Sequence, residues 1–427
     1  MKETGTLAQP KRGGAWDVNR IRSRFPALQE DFGGRPAIFF DNPAGTQVPE
    51  SVIAAISDYL RRRNANTDGA FETSRRTGEV YEEAHRAAAD FMGCRPEEVI
   101  YGANMTTLTF HLTRSLAHGI SPGDEIVVTR SDHDANVAPW MLLARDTGAV
   151  LRWIDLRPED CTLDMDQAGS LISDKTRVVA IGYASNASGT IHDVKRLVGW
   201  ARQAGALSFV DAVHYAPHGP LDAAALGCDF LACSPYKFFG PHSGLLYGKK
   251  ALLEQMEAYK VRPASDDLPV KWETGTQNHE AMAGVTAAID YLASLSVDFG
   301  NAPPEASRRS RLLESWKLIG AWEKGLIRRL LEGLTSIPAL TVYGILDPQR
   351  LDERVCTFIF RHQDRDPLEL ARYLAHHNIF AWDGDYYALE PARRLDVADK
   401  GGWLRIGLVH YNTPEEADRF LEVVESA

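Results

Sequence analysis

The most restrictive feature of the chain is an alternation. Between residues 37 and 234 lie the short apolar runs AIFFD, EEVIYG, DEIVVT, VLRWIDL, TRVVAIGYAS, ALSFVDA and DFLACS. Stretches with helical spacing, such as SVIAAISDYLRRR, EVYEEAHRAAADFMG and VKRLVGWARQAG, separate many of them. Runs of this kind read as strands buried on both faces, and strand alternating with helix builds a mostly parallel sheet. The expected class is α/β: a large mixed or parallel-sheet domain with helices on both faces.

After residue 300 the order changes. NAPPEASRRSRL, residues 301–312, is a charged, proline-containing connection, followed by long helices, the run VCTFIF, a helix over DPLELARYLAHHN and the strand WLRIGLV. These predict a smaller α+β domain over residues 301–427 beside a large domain over 31–300. Residues 1–30 are expected to be an arm, over 1–16, and a short helix in DVNRIRSRFPAL that stops before Pro26 and packs with the smaller domain.

Composition narrows the partners. Over 427 residues, 47 lysines and arginines against 58 aspartates and glutamates leave a net charge of −11, spread along the chain, which argues against a nucleic-acid surface and for a small-molecule ligand. The five cysteines, Cys94, Cys161, Cys228, Cys233 and Cys356, show no C-x-x-C spacing, so neither a disulfide framework nor a zinc site is expected. No metal is expected elsewhere. The N-terminal stretch lacks the apolar core of a signal peptide, and no window approaches the roughly 20 apolar residues of a membrane span. A cytoplasmic location without membrane association is the expectation.

Ligands of open α/β sheets bind at the carboxyl ends of strands. Polar residues collected from those places are Asp211 after LSFV with His214 close behind, Asn186 after VVAIGYAS, Asp132, His133 and Asp134 after IVVTRS, and Lys237 after DFLACSPY. An aspartate that closes one strand, with a lysine 26 residues on just past the next, suits pyridoxal phosphate: the carboxylate keeps a ring nitrogen protonated and the amine forms a Schiff base. The stretch YGANMTTLTFHL, a strand end, a turn of small residues and a helix start, suits a phosphate.

Eight segments in order carry a resemblance: FFDNPAGTQVP, GANMTTLTF, DHDANVAPW, SNASGTIHDV, FVDAVHYAPH, SPYKFFGPHSGLLYG, WETGTQN and LRIGLVHYNT. Over roughly residues 36–412 the chain resembles the class V aminotransferase family of fold-type I pyridoxal phosphate enzymes, in its cysteine desulfurase-like branch. The resemblance implies that Lys237 carries the Schiff base and serves as proton carrier at the substrate Cα. It implies that Asp211 pairs with the pyridinium, His133 stacks on the ring, and His214 and Asn186 lie near the phenolic oxygen. Ser234 and Tyr236 would contact the phosphate, Ala103 and Asn104 fill the usual Thr-Thr phosphate position, and Thr276 would reach the phosphate from the partner of a homodimer. Arg405 matches the arginine that grips the substrate carboxylate.

One departure matters for the reaction. The loop that carries the nucleophilic cysteine of desulfurases corresponds to FAWDGDYYALEP, residues 380–391, where Tyr387 fills the cysteine position and is expected, with Arg405, to bind the substrate. A phenol, with a pKa of about 10, is a poor sulfur acceptor. The expectation is therefore chemistry on an amino-acid substrate through an external aldimine, of the lyase type, with C–S or related Cα/Cβ cleavage and no protein persulfide. An aminotransferase or epimerase of the same family, and a binding or scaffold protein that keeps the pocket without turnover, are the alternatives.

Overall fold

The computed structural model describes residues 15–427, so most of the arm expected over 1–16 lies outside the described residues. Seven strands form the larger sheet: β1 (Val99–Gly102), β2 (Glu125–Thr129), β3 (Val150–Ile154), β4 (Thr176–Gly182), β5 (Leu207–Asp211), β6 (Phe230–Cys233) and β7 (Gly244–Gly248). Their order across the sheet is β1-β7-β6-β5-β4-β2-β3. The pairs from β6 through β5, β4 and β2 to β3 are parallel, and β7 runs antiparallel to both its neighbours.

Burial on both faces explains the unbroken apolar runs. In β2, Val127 faces one core, which includes Ala84, Leu197 and Ile289 from the helices Glu72–Met92, Val194–Gln203 and His279–Asp298. Its neighbours Ile126 and Val128 face the other, with Leu108, Leu112 and Trp140 from the helices Met105–Leu116 and Ala138–Thr147. Successive strand side chains point to opposite faces, so a polar residue at either position would sit unpaired in a core.

A second sheet of four strands, β8 (Leu340–Tyr343), β9 (Thr357–His362), β10 (Trp382–Gly384) and β11 (Trp403–Gly407), has the order β10-β11-β9-β8 and is antiparallel throughout. Phe358, Phe360, Leu404 and Ile406 pack one face against the helices Arg308–Ser336, Pro367–His376 and Pro414–Glu425. AIFFD departs from the sequence expectation. Ile38 and Phe39 pair in parallel with Ile379 and Phe380, and Ile38 and Phe40 join the core of the second sheet. The run leads on past the end of β11, where Gly407 N donates to Phe40 O at 2.8 Å. That approach needs glycine: a Cβ on Gly407 would lie 2.1 Å from Pro43 Cγ.

The helix Val18–Arg22 ties both regions together. Arg22 bonds Tyr411 O at 2.9 Å and pairs with Glu416 at 2.8 Å, while Arg24 just beyond pairs with Asp298 at 2.6 Å. Among the described residues no helix is long and apolar enough to cross a membrane.

Candidate active site

At the carboxyl ends of β2, β4, β5 and β6 a cavity of about 290 Å³ opens, closed on its far side by residues of the 382–387 segment and β11. Asp211 is the last residue of β5, buried, and accepts from Val213 N at 2.9 Å. Burial pushes its carboxyl up to about 6, against the pull of that N–H and of Lys237. Lys237 lies in the single turn Pro235–Lys237 just after β6, where its Nζ donates to Pro43 O and sits 4.9 Å from the Tyr236 ring centroid. Burial, reinforced by the Arg405 charge, brings the amine down to about 7, with Asp211 and Asp41 opposing. Near neutral pH half of this lysine is an uncharged base.

Arg405 comes from the middle of β11, buried, with Nη1 donating to Asn186 O at 2.8 Å and Tyr386 stacked 4.0 Å from its guanidinium. Burial lowers it to about 10, so it remains a cation. Asn186 in turn donates from Nδ2 to Tyr386 O at 3.0 Å. The three residues form a closed circuit that fixes the guanidinium.

His133 follows β2, and its Nδ1 accepts from Ala135 N at 3.0 Å, which leaves any proton on Nε2. Burial, with Lys237 and Arg405 nearby, lowers it to about 4, and its ring lies 5.4 Å from that of Tyr387. His214 is buried with Nε2 3.1 Å from Thr357 Oγ1, and burial holds it well below its usual value. Both imidazoles are neutral at pH 7. Asp132, also buried, accepts from Gly182 N at 2.8 Å and Asn136 Nδ2 at 2.9 Å, and burial with the neighbouring Asp211 charge pushes it up to about 8.

The helix Met105–Leu116 points its N-terminus into this cavity. Asn104 caps it, its Oδ1 accepting from Thr107 N at 2.8 Å, and the strand β7 backs against the turn so closely that a Cβ on Gly244 would lie 2.4 Å from Asn104 C. Asn104, Ser234 and Tyr236 all line the cavity, Tyr236 stacked on His242 at 4.9 Å.

The cavity thus gathers Asn104, His133, Asn186, Asp211, His214, Ser234, Tyr236, Lys237, Tyr387 and Arg405. Three candidates stand apart. Ala103 is exposed one residue before the helix cap, Thr276 is exposed on the segment after Trp272, and Asp134 is half-buried beside His133, none of them lining the cavity. Asp132, collected at the end of its strand, does line the cavity, whereas Trp382, which also lines it, and Asp41, whose charge acts on Lys237 and Arg405, were not among the candidates. The signal for Asp41 was its place directly after an apolar run. Trp382 lay in the quoted loop FAWDGDYYALEP, but nothing in that loop singled it out, because it reaches the cavity only through the pairing of β10 with β11.

The sequence pattern defining the family "Aminotransferase class-V" matches residues 38–309 and 311–420. The chain is a class-V aminotransferase-family protein. The aminotransferase-like protein FGM3 of Gibberella zeae is 32% identical over 424 residues, covering 96% of this chain and 98% of the relative. A probable cysteine desulfurase of Synechocystis is 31% identical over 421 residues, covering 95% and 94%. Among solved structures, the apo cysteine desulfurase of Thermococcus onnurineus superposes with a TM-score of 0.84 at 28% identity, covering 96% and 97%.

Class-V enzymes of this kind use pyridoxal phosphate, and the residues present suit it. Lys237 supplies an amine that is a base at neutral pH, Asp211 a carboxylate at a strand end, and the Met105–Leu116 helix start an anion site beside the Ser234 hydroxyl. Buried polar atoms without a partner, Asn186 Oδ1 and Arg405 Nε, mark the same walls as built for a polar ligand. Among the described residues no cluster of metal-ligating side chains occurs.

None of the five cysteines of this class-V protein lines the cavity. Burial pushes Cys161 and Cys228 up to about 12 and holds Cys94, Cys233 and Cys356 well above the usual range. Thiols in that state are poor nucleophiles.

Proposed function

We propose that this class-V enzyme is a lyase acting on an L-α-amino acid, cleaving a C–S or related bond at Cβ without a protein-bound persulfide. The observation that carries this reading is the tyrosine at 387, on the segment that closes the cavity, in a chain whose cysteines all lie away from the cavity. The bound cofactor supplies an electron sink that weakens the bonds of the substrate Cα. Asp211, ionised above about pH 6, would hold a proton on the cofactor's ring nitrogen, and the neutral His133 ring would offer a flat face without adding a second cation. Ser234, Tyr236 and the N–H groups at the Asn104 cap would hold the phosphate. Arg405, fixed by Asn186 and Tyr386, would hold the substrate carboxylate, leaving the Lys237 amine to take the proton from Cα.

For a sulfur substrate the step balances without an oxidant or reductant. The Cα proton goes to Lys237, the Cβ–S bond breaks with its electron pair on sulfur, and the thiolate leaves as a thiol after protonation. Water then converts the remaining unsaturated amino acid to pyruvate and ammonium.

We also propose a homodimer in which Thr276 reaches the partner's phosphate site. Two features support it. Thr276 is exposed and stands three residues from Glu273, whose buried carboxylate is held by Tyr101 N at 2.8 Å, by His85 Nε2 at 2.9 Å and by the Tyr81 hydroxyl.

The test is incubation with L-cysteine followed by mass analysis of the intact protein. The expected result is no added sulfur on any cysteine; sulfur on one of the five would refute the reading.

A further inference from the structure

The floor of the cavity is lined by groups with assigned tasks, whereas on its outer wall what the aromatic side chains select has not been assigned. That wall is aromatic. Trp382, 51% exposed, Tyr386, and Tyr387, 70% exposed, come from one short segment and all line the cavity. Exposed aromatics of this size at a cavity mouth are apolar surface that a ligand could cover.

The wall is held in place by more than its own turn. Tyr386 and Tyr387 have φ of 57° and 59°, the left-handed region that costs about 1 kcal/mol or more for a residue with a side chain. Neighbouring elements impose it. Asn186 Nδ2 donates to Tyr386 O at 3.0 Å, Asp134 N donates to Tyr387 O at 2.8 Å, and the Tyr386 hydroxyl is shared between the carbonyls of Trp382 and Trp403. Just beyond, Glu390 pairs with Arg130, and Arg394 pairs with Asp155 at 3.1 Å, pinning the short helix Leu389–Arg394 to the larger sheet. Strain sustained from outside is characteristic of a preorganised binding surface.

Each part of the wall has a separate use. One face of Tyr386 is taken by the Arg405 guanidinium, which leaves Trp382 and Tyr387 to receive whatever extends outward from a substrate held there. The charges around them exclude an acidic extension. Asp385 Oδ1 accepts from Tyr387 N at 3.0 Å, Asp134 is partly buried beside it, and the nearby cations Arg130, Arg393 and Arg394 are each paired with a carboxylate.

We propose that Trp382 and Tyr387 are specificity-determining residues that select an amino acid bearing an aromatic or large aliphatic group beyond Cβ. Resting on the β-cleavage reading above, the substrate is a cysteine derivative with such a group on sulfur, released as an intact thiol. A free cysteine or alanine would leave the wall uncovered, and an aspartate would meet like charge at the rim.

The experiment titrates the purified holoenzyme with S-benzyl-L-cysteine, L-phenylalanine, L-cysteine, L-alanine and L-aspartate, following the absorption of the bound cofactor. It also measures thiol release from S-benzyl-L-cysteine. The expected result is half-saturation by the two benzyl compounds at about tenfold lower concentration than by the three small ones, which is the discrimination an apolar pocket can supply. Trp382→Ala should collapse that ratio about five- to tenfold. Phenylalanine binding no better than alanine, or an unchanged ratio in Trp382→Ala, overturns the assignment of the wall. A preserved preference without thiol release leaves the wall supported and overturns the β-cleavage reading alone, whereas no absorption change with any amino acid overturns both.

Discussion

Replacing Lys237 by methionine should stabilise the cofactor-free protein, and the gain should depend on pH in a defined way. Methionine keeps the length of the side chain and removes the charge. The amine falls from its usual 10.5 to about 7 in the folded chain, which corresponds to a penalty of about 5 kcal/mol on the charged form. Lys237 lines a cavity and is not sealed in the core, so solvent there reduces the net effect to about 2–4 kcal/mol; the hydrogen bond to Pro43 O, lost on substitution, takes back about 1 kcal/mol. The sign follows from proton binding. Between about pH 7 and 10.5 the unfolded chain binds a proton at this lysine that the folded chain does not, so wild-type stability rises with pH across that window. The advantage of Lys237→Met is then largest at and below pH 7 and shrinks toward pH 10. Urea unfolding of both cofactor-free proteins at several pH values measures the difference, in which groups titrating alike in both cancel. A difference that stays constant from pH 6.5 to 10, or a variant less stable than wild type at pH 6.5, would refute the argument that this amine is buried at a cost.

Asp211→Asn should retain cofactor binding yet lower turnover by at least about a hundredfold, since it removes the one carboxylate able to hold the ring proton. Asp132→Asn should stay close to wild type at pH 7, because Asp132 at about 8 is already mostly neutral there; steady-state rates that rank the two variants the other way would reverse the assignment. Arg405→Lys should lower kcat/KM by about 10–100-fold, mainly through KM, since an ammonium cannot reproduce the two-pronged contact or the stacking against Tyr386; an unchanged KM would remove Arg405 from the carboxylate site.

What could be read from the sequence was local. Asp211 and Lys237 each stand at the end of an apolar run, and the strands β5 and β6 that carry them pair side by side, so strand-end reasoning finds both. The first run failed for the same reason: AIFFD looks like any buried strand, yet it pairs with Ile379 and Phe380, some 340 residues away. No periodicity marks that partner. The same distance hides the circuit around Arg405. Asn186 donates to Tyr386 O across 200 residues, and Arg405 Nη1 donates to Asn186 O across 219. Trp382 becomes part of the cavity only because β10 lies on β11 in register with Arg405.

The charge pattern of the cavity explains why so many polar groups tolerate burial together. Asp132 and Asp211 occupy adjoining positions, Asp132 bonded to Gly182 N and Gly182 in register with Asp211 on the next strand. Two carboxylates so close in a low dielectric would repel strongly, and the structure resolves this by separating their affinities for a proton, about 8 against about 6. At neutral pH one is an acid and one an anion. The cations follow the same rule: Lys237 falls to about 7 while Arg405 stays charged, and burial, together with both of these charges, lowers His133 to about 4. Near neutral pH the resting cavity therefore holds a negative charge at Asp211, with Asp41 close by, and a positive charge at Arg405. A cationic ring nitrogen and an anionic carboxylate are the complements of those two charges, and a zwitterionic amino acid entering beside the cofactor adds no net charge to a buried site.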